Sequence, residues 1–374
     1  MPNDKTVFIV GAGFSKNAGL PLQSEFTPLF LRATKHKSGL SRFLMPTLAK
    51  FVEETFGFKL DQDNVRLYPD LEDIFTMLDL SANSGHNLGL KYPPHELRTV
   101  RRMLLSRIIR MLNKAYLDGR RKPPPERPLL LDFLRGIDPN KHQFVSLNWD
   151  LVIEGCLEEL GVPYHPYYSR EIDRIFLDKQ YRLVPSHPDS PGLTICKMHG
   201  SINWLYCDCC RRAYWVPVCD VARLAIQVLK KNEVEEIYPK RVSRRLRCPS
   251  CEMDLGVRLA TFSYQKSLKV PLFESSWLEA EKSLRRASKW VFIGYSLPAA
   301  DFEFKYLLKR VALSRRTPPQ IVLVTKEPPK MGARASATPL WTSAALTYQR
   351  FFGARDLAIY LEGLTPETVR KILE

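Results

Sequence analysis

Residues 7–21 read VFIVGAGFSKNAGLP, and the prediction of the fold begins with them. Its first four residues are apolar and prone to β structure, which predicts a buried parallel strand. Gly11 and Gly13 then permit a tight turn and the close approach of a ligand to the backbone. Ser15 and the free backbone N–H groups after it are expected to begin a helix, whose N-terminus favours phosphate. The order strand, glycine turn, helix is the usual cradle of a nucleotide diphosphate.

The glycine motif is incomplete by the standard of dinucleotide-binding proteins. Lys16 stands where a third glycine would let the helix pack on the strand. No second strand that ends in an acidic residue follows about 20 residues later. A strand, turn and helix without a ligand is therefore a competing interpretation, and the ends of the other strands must decide between the two.

The composition of the whole chain is that of a globular protein. The chain has 374 residues, of which 45% are hydrophobic and 26% are charged, and this length allows about two to three domains. No apolar run of about 18 residues is present, so we expect no membrane span. The first residues lead directly into a strand, which predicts no signal peptide and a cytoplasmic location. Eight cysteines then suggest thiols or a metal site rather than disulfides.

The net charge of +16 is concentrated in two segments of the chain. Residues 98–127 hold ten basic and two acidic residues, and residues 211–247 hold ten basic and four acidic residues. Such segments attract polyanions, so a nucleic-acid or protein trigger is one expected partner. Solvated helix faces would give the same pattern, because charge alone specifies no groove or base contact. A homo-oligomer is a further partner that the sequence leaves open.

Strands alternate with helices along the chain except between residues 39 and 128. Helical periodicity in that region, which ends at three prolines, predicts a helical insertion. The predicted fold is α/β: a Rossmann-like parallel sheet with helices on both faces, plus the helical insertion and a small four-cysteine zinc-ribbon module. The predicted bounds are 1–38, 129–200 and 256–330 for a discontinuous Rossmann-like domain, 39–128 for the insertion, 201–255 for the zinc-binding module, and 331–374 for a C-terminal extension with a final helix near Pro366–Leu373.

Five apolar strands are predicted, and a polar cluster follows each of them. The clusters are Gly11–Ser15, Asn148–Asp150, His199–Ser201, Gly294–Ser296 and Thr325–Lys326. In an open parallel sheet the carboxyl ends of the strands share one edge, where ligands bind. The five clusters should therefore converge on one crevice, which favours a nucleotide site more strongly than any single motif. Asp301 is expected to cap the helix after the fourth cluster.

The second half of the chain contains two C-x2-C pairs, Cys207 with Cys210 and Cys248 with Cys251. Four thiolates make a closed tetrahedral site, so a bound Zn2+ would be structural. The 37 residues between the pairs exceed the standard gap of about 15 to 20, so the ribbon would carry an insertion. Cys209 competes with Cys207 as a ligand, and Cys219 is spare. Free thiols in loops are the alternative, and an arginine-rich ribbon could also bind nucleic acid.

With these residues taken together, the chain resembles the sirtuin (SIR2) superfamily, and more narrowly the SIR2-like antiphage-defence proteins of prokaryotes. The resemblance covers residues 6–30 and 143–326. It rests on a set of elements in a fixed order: Gly11–Ser15 with Ala18–Pro21, Asn148–Asp150, His199–Gly200, the two cysteine pairs, and Gly294–Pro298 with Asp301.

The resemblance implies that NAD is the substrate and that the Rossmann-like domain binds it. The implied cofactor-binding residues are Gly11, Ala12, Gly13, Phe14 and Ser15 for the diphosphate, and Gly294, Tyr295, Ser296 and Thr325 on the adenosine side. Asn148 would orient water or the ribose, and Asp150 would hold the carboxamide of nicotinamide. His199 would accept a proton from a ribose hydroxyl or from the attacking water.

Departures from the sirtuin pattern bear on the reaction. Leu147 stands where sirtuins carry a glutamine, and residues 22–26 replace the Asp-Phe-Arg element after the proline. Residues 261–265 stand where sirtuins clamp acyl-lysine with Phe-Gly-Glu. The resemblance therefore favours an NAD+ glycohydrolase, which releases nicotinamide and ADP-ribose, in antiphage defence. A protein deacylase or ADP-ribosyltransferase is one alternative, and a non-enzymatic scaffold that binds nucleic acid or protein is another.

Overall fold

The structure is a computed structural model that describes residues 5–32, 41–57, 68–165, 172–177, 183–186, 192–216, 218–237, 245–261, 263–264, 271–327, 344–353 and 357–374. The strands in these residues are β1 (Thr6–Val10), β2 (His142–Ser146), β3 (Tyr164–His165), β4 (Ile172–Leu177), β5 (Leu183–Ser186), β6 (Leu193–Lys197), β7 (Trp204–Cys207), β8 (Ala213–Trp215), β9 (Leu255–Gly256), β10 (Lys289–Ile293), β11 (Gln320–Val324) and β12 (Leu357–Tyr360).

The helices in the same residues are α1 (Ala12–Lys16), α2 (Gln23–Arg32), α3 (Ser41–Phe56), α4 (Leu71–Ser84), α5 (Pro94–Arg121), α6 (Arg127–Arg135), α7 (Val152–Leu160), α8 (Lys231–Ile237), α9 (Pro271–Arg286), α10 (Phe302–Leu313), α11 (Ala344–Phe352) and α12 (Pro366–Leu373), with a 3-10 helix at Val218–Val228. None of these described helices is long and apolar enough to cross a membrane.

The main sheet has seven strands in the order β12-β11-β10-β1-β2-β6-β3. Every neighbouring pair in it is parallel. The chain leaves the central strand β1 on one side through β2 and β6, and later returns on the other side through β10 and β11. The predicted α/β fold with a parallel sheet is confirmed.

Both faces of this sheet are buried, as its continuous apolar strands require. Alternate residues of β1 point in opposite directions: Phe8 and Val10 join one apolar cluster, and Val7 and Ile9 join another. The first cluster includes residues of α3 to α7, and the second includes residues of α9, α10 and α11. Helices therefore cover both faces, as predicted.

Three helices, α3, α4 and α5, fill the region predicted to be a helical insertion. The long helix α5 begins at Pro94 and ends before the three prolines that follow Lys122. Its middle is anchored where the buried Ser106 hydroxyl donates a hydrogen bond of 2.7 Å to the Ala225 carbonyl. Near its end Gly119 packs directly on the carbonyl of Ala18, where a Cβ would not fit. The insertion is thus packed against the glycine-turn region.

A second sheet carries the cysteine pairs and has the order β5-β4-β8-β7-β9. Strand β7 pairs antiparallel with both β8 and β9. Because Cys207 ends β7 and Cys251 lies just before β9, this pairing brings the two halves of the predicted zinc module together. The two cysteine pairs therefore lie together, as predicted.

The C-terminal tail supplies an edge of the main sheet. Strand β12 pairs parallel with β11, with Leu357 opposite Ile321. Tyr348 and Phe352 of α11 pack on Phe292 of β10, with ring centroids 5.0 and 5.7 Å away. The final helix lies at the predicted position, whereas the sequence left the role of the tail unassigned. The domain boundaries given above remain predictions.

Candidate functional site at the carboxyl edge of the sheet

Five strand ends meet at one edge of the main sheet, as predicted. Val10 lies opposite both Ile293 and Ser146, so the turns after β1, β10 and β2 start at the same level. Ile293 lies opposite Val324, and Ser146 lies opposite Lys197, which brings the ends of β11 and β6 to that level too. Successive strands are added to the sheet on one side of β1 and later on the other, so the strand order reverses between β1 and β10. Open α/β sheets bind ligands at such a switch point.

The two glycine turns at this point are packed against each other. The Gly13 N–H donates a hydrogen bond of 2.9 Å to the Gly294 carbonyl, and the Gly11 N–H donates one of 3.1 Å to the Ile293 carbonyl. A Cβ on Gly13 would lie 2.7 Å from the Gly294 Cα, so the contact excludes any larger residue. The free N–H groups were predicted after Ser15, whereas the N–H groups of the two glycines join the turns.

The other residues of the first turn differ in how deeply they are buried. The Phe14 ring is fully buried and packs edge-on against Phe133, with centroids 6.2 Å apart, so only the backbone of Phe14 faces the turn. Ala12 is half-buried at the start of α1. Ser15 is buried, and its hydroxyl points to Asn148.

Asn148 links the end of β2 to the first glycine turn. Its Nδ2 atom donates hydrogen bonds of 2.8 Å to the Gly11 carbonyl and 3.0 Å to the Ser15 hydroxyl. These bonds fix the orientation of the amide, because only the NH2 group can donate to a carbonyl. The structure thus places two predicted site elements in direct contact.

Asp150 has its side chain turned toward the start of α7. Its Oδ1 atom accepts a hydrogen bond of 3.0 Å from the Val152 N–H, which satisfies one open donor of that helix. Its backbone carbonyl accepts a bond from the ammonium group of Lys197 in β6. Lys197 also forms an ion pair of 3.1 Å with Glu154 of α7, and both side chains are almost fully buried. Burial raises the pKa of Glu154, although the ammonium group of Lys197 opposes the shift.

His199 is buried directly after β6, and both nitrogens of its ring have neighbours. Nδ1 lies 3.0 Å from the carbonyl oxygen of Leu147, the residue before Asn148. Nε2 lies 3.5 Å from Oδ1 of Asp301. Asp301 is the N-cap residue of α10, as predicted, but its carboxylate makes no cap hydrogen bond. The contact with His199 and a hydrogen bond of 2.9 Å from the Tyr295 hydroxyl occupy it instead.

The residues predicted to contact the adenosine side of NAD differ in their exposure to solvent. Ser296 is exposed and Gly294 is half-buried at the sheet edge. Tyr295 is buried in the core, and burial together with the neighbouring Asp301 carboxylate raises its pKa well above the usual value. Thr325 is half-buried, and its backbone bonds Tyr360 and Gly363 in the tail. Ser296 is therefore the member of this set with the most open hydroxyl group.

The predicted zinc ligands form one group of sulfur atoms. The Sγ atoms of Cys207 and Cys251 are 3.4 Å apart, those of Cys210 and Cys248 are 3.6 Å apart, and all four lie within 4.8 Å of one another. A tetrahedral site with Zn–S bonds of about 2.3 Å puts sulfur atoms about 3.8 Å apart. The four thiols therefore fit a zinc ion.

Local chemistry favours the thiolate at one member of this group, Cys248, whereas burial raises the pKa of the Cys207 thiol to about 12. Cys209 is exposed and lies outside the sulfur group, which favours Cys207 over Cys209 as a ligand; the side chain of Cys219 lies outside the described residues. Burial disfavours the Cys248 thiolate, yet hydrogen bonds from the Tyr214 hydroxyl and from the Ser250 backbone N–H outweigh it and lower the pKa of Cys248 to about 6. A thiol that ionises near neutral pH is ready to bind a metal.

Much of the positive charge of the basic segment 98–127 is used within the protein. Six of its ten basic residues contact internal acceptors: Arg98 with the Ala82 carbonyl, Arg101 with Asp79, Arg102 with Glu233, Lys114 with Asp118, and both Arg120 and Arg127 with Glu159. In the other segment Arg245 pairs with Asp254, and residues 238–244 lie outside the described part of the chain. Arg121 and Lys122 are exposed at the end of α5. The surface open to a polyanion is thus smaller than the sequence suggested.

Three polar residues of this region were not predicted as part of a site: Lys197, Glu154 and Tyr348. Lys197 carried a signal, because a lysine inside the apolar strand Thr-Ile-Cys-Lys-Met must find a buried partner. Glu154 lies in the first turn of an apolar helix, and its acidic side chain could have been predicted as the partner of Lys197. Tyr348 donates a hydrogen bond of 2.8 Å to the Tyr295 carbonyl, and nothing in the local sequence indicated that contact.

Comparisons with known proteins point to one family. A family model described as a SIR2-like domain matches residues 142–348, which is more than half of the chain. No curated protein matches the sequence. Solved structures similar to the chain include one described as the structural basis for the mechanism and regulation of Sir2 enzymes (14% identity, 99% of this chain and 90% of that chain, TM-score 0.33). Others are a Sir2 homologue mutant with ADP-ribose (12%, 99% and 90%, 0.37) and a Sir2 homologue with NAD (12%, 100% and 90%, 0.36).

Proposed function

The chain belongs to the SIR2-like domain family, and on that premise we propose that it is an NAD+ hydrolase that cleaves the nicotinamide N-glycosidic bond. One observation supports this proposal above the others: hydrogen bonds of the Asn148 and His199 side chains link the ends of β1, β2 and β6 beside the switch point. Asn148 bonds the glycine turn after β1, and the His199 ring bonds the carbonyl of Leu147, which precedes Asn148. Such a linked set suits a substrate that lies across the strand ends.

The proposed reaction needs little covalent chemistry from the protein. The bond between ribose C1′ and the pyridinium nitrogen breaks, and its electron pair leaves with neutral nicotinamide. A water oxygen bonds C1′, and the proton that the water loses passes to His199 or to solvent. The products are nicotinamide, ADP-ribose and one proton. Asn148 would orient the ribose or the water.

The remaining roles follow from where the residues lie. The backbone of Ala12 and Ser15 in the first turn would face the diphosphate, since the N–H groups of Gly11 and Gly13 are already bonded. The exposed Ser296 would contact the adenosine ribose, with Thr325 beside it. Asp150 would hold the carboxamide through its second oxygen, because Oδ1 bonds the start of α7. The four cysteines would hold a structural zinc ion.

Hydrolysis is favoured over deacylation by what the sequence lacks. Leu147 replaces the glutamine of sirtuins, and its carbonyl serves as the acceptor for His199. The segment at 261–265 does not carry the acyl-lysine clamp. A role in antiphage defence rests on the resemblance of the motifs, and a nucleic-acid trigger would have to use exposed basic residues such as Arg121 and Lys122.

The test is nicotinamide release from NAD by the pure, zinc-loaded protein, with and without added DNA and RNA. We expect release by the parent protein and none by Asn148→Ala. Asn140→Ala, an exposed change just before β2, is the matched control and should keep the parent rate. An unchanged rate in Asn148→Ala would overturn the assignment. Faster release of acyl groups from lysine peptides than of nicotinamide into water would favour the deacylase alternative, and NAD binding without turnover would favour the scaffold.

A further inference from the structure

The imidazole ring of His199 lies between two hydrogen-bond acceptors. Nδ1 is 3.0 Å from the Leu147 carbonyl oxygen, and Nε2 is 3.5 Å from a carboxylate oxygen of Asp301. The side chains of His199 and Asp301 are only 4% and 8% exposed, so water screens their interaction weakly.

The two neighbours bear on the protonation state of the ring. A neutral imidazole carries a proton on one nitrogen and a lone pair on the other. Either neutral tautomer would therefore aim a lone pair at the Leu147 carbonyl or at the Asp301 carboxylate. The imidazolium form donates at both nitrogens and satisfies both acceptors.

The carboxylate of Asp301 is held in place from its other side. The Tyr295 hydroxyl donates a hydrogen bond of 2.9 Å to Oδ2 of Asp301. The Tyr295 carbonyl in turn accepts a bond of 2.8 Å from the buried Tyr348 hydroxyl of α11. The tail helix thus supports the turn that carries Asp301.

Among the described residues, the other titratable groups on the elements packed around His199 have partners of their own. Lys197, two residues earlier in β6, pairs with Glu154 of α7 at 3.1 Å. Glu279 of α9, which packs on β6, pairs with Lys282 at 3.5 Å. Asp150 bonds the start of α7, and Tyr295 is the neutral donor to Asp301. Asp301 is the carboxylate in contact with the ring itself.

We propose that Asp301 is a positioning residue that holds His199 as a buried imidazolium in the resting protein. The inference rests on the proposed function only for its catalytic consequence: His199 must give up a proton before it can accept one from the ribose or water. Asp301 then sets the pH above which the site becomes active.

The first test follows the titration of His199 directly and needs no turnover. The full chain is labelled with 13C in its histidines, and the His199 signal is assigned as the one lost in His199→Gln. We expect Asp301→Asn to lower the titration midpoint of His199 by about one pH unit or more, the shift typical of losing an opposite charge at this range. Asp301→Glu should restore most of it. Asp70→Asn, which removes the same charge at the start of α4, is the matched control and should leave the midpoint unchanged.

An equal midpoint for the parent protein and Asp301→Asn overturns the proposal. The second test is the pH profile of nicotinamide release, in which Asp301→Asn should move the acidic limb to lower pH. A purely structural role would instead lower the rate at every pH and leave the limb in place. If the protein does not hydrolyse NAD, the titration result still decides the role of Asp301, so the two failures remain separate.

Discussion

The ammonium group of Lys197 lies 3.1 Å from Oε1 of Glu154, and both side chains are at most 1% exposed. Lys197 is the last residue of β6, two residues before His199, and Glu154 belongs to the helix that follows Asp150. The same ammonium group bonds the Asp150 carbonyl. One buried ion pair therefore ties together the two strand ends that supply the proposed catalytic residues.

Removing one partner of this pair should destabilise the fold strongly. Lys197→Met leaves the Glu154 carboxylate without its counter-ion, and breaking a buried pair in this way costs about 3 to 5 kcal/mol of unfolding free energy. Because this loss of stability comes from the buried carboxylate that no longer has a counter-ion, the double variant Lys197→Met with Glu154→Leu should regain most of the lost unfolding free energy. Urea unfolding of the single and double variants measures both effects. A double variant as unstable as the single one would show that packing, not charge, is the cause.

The stability loss of Lys197→Met should also depend on pH. Burial raises the pKa of Glu154 above its ordinary 4.5, and removing Lys197 takes away an opposing influence. The folded variant then holds a proton that the unfolded chain has lost, so its stability rises as the pH falls toward about 4.5. We expect the deficit relative to the parent protein to shrink between pH 7 and pH 5. A constant deficit over that interval would contradict this origin.

Gly294→Ala should separate the two glycine turns. Gly294 has φ of +60°, and a Cβ there would overlap the backbone of Phe14 and Gly13. Gly161→Ala is the matched control, because Gly161 has φ of +69° and open space around it. Both variants bear a left-handed strain of about 1 to 2 kcal/mol, and Gly294→Ala should lose about 1 to 3 kcal/mol more through overpacking. NAD binding by calorimetry should fall at least tenfold in Gly294→Ala and stay at the parent level in Gly161→Ala.

The sulfur group should bind one zinc ion per chain and stabilise the protein. Cys207→Ser removes a ligand, so zinc content and thermal stability should both fall, and a chelator should no longer change the melting temperature. Cys209→Ser is the matched control, because Cys209 is two residues away but exposed and outside the group. Equal zinc content in the two variants would exclude Cys207 as a ligand.

The sequence predicted those parts of the structure that depend on local patterns. Apolar runs fixed the strands, and parallel topology placed Asn148 and His199 at one edge, because strand direction decides where the ends lie. The spacing of the cysteine pairs predicted the sulfur group for a similar reason. Asp301 lies at the predicted N-cap position of α10, but its contact with His199 is a tertiary one that the local sequence did not indicate. The hydrogen bonds of Gly11 and Gly13 could not be predicted from the local sequence either, because their acceptors, Ile293 and Gly294, lie about 280 residues later in the chain.

Asn148→Asp tests whether the amide serves the substrate or only the fold. The amide donates to the Gly11 carbonyl at 2.8 Å and to the Ser15 hydroxyl at 3.0 Å. A carboxylate would lose the donor to Gly11 and place a negative charge beside the proposed diphosphate site. We expect a loss of about 1 to 3 kcal/mol in unfolding free energy and at least a tenfold loss in NAD affinity.

Ser15→Ala is the matched comparison, because it removes one acceptor of the same amide but adds no charge. Its loss of unfolding free energy should be about 0.5 to 1.5 kcal/mol, and its loss of NAD affinity should be smaller than that of Asn148→Asp. If Asn148→Asp loses stability yet binds NAD as tightly as the parent protein in calorimetry, Asn148 supports the fold alone, and the proposed site must lie elsewhere on the sheet edge.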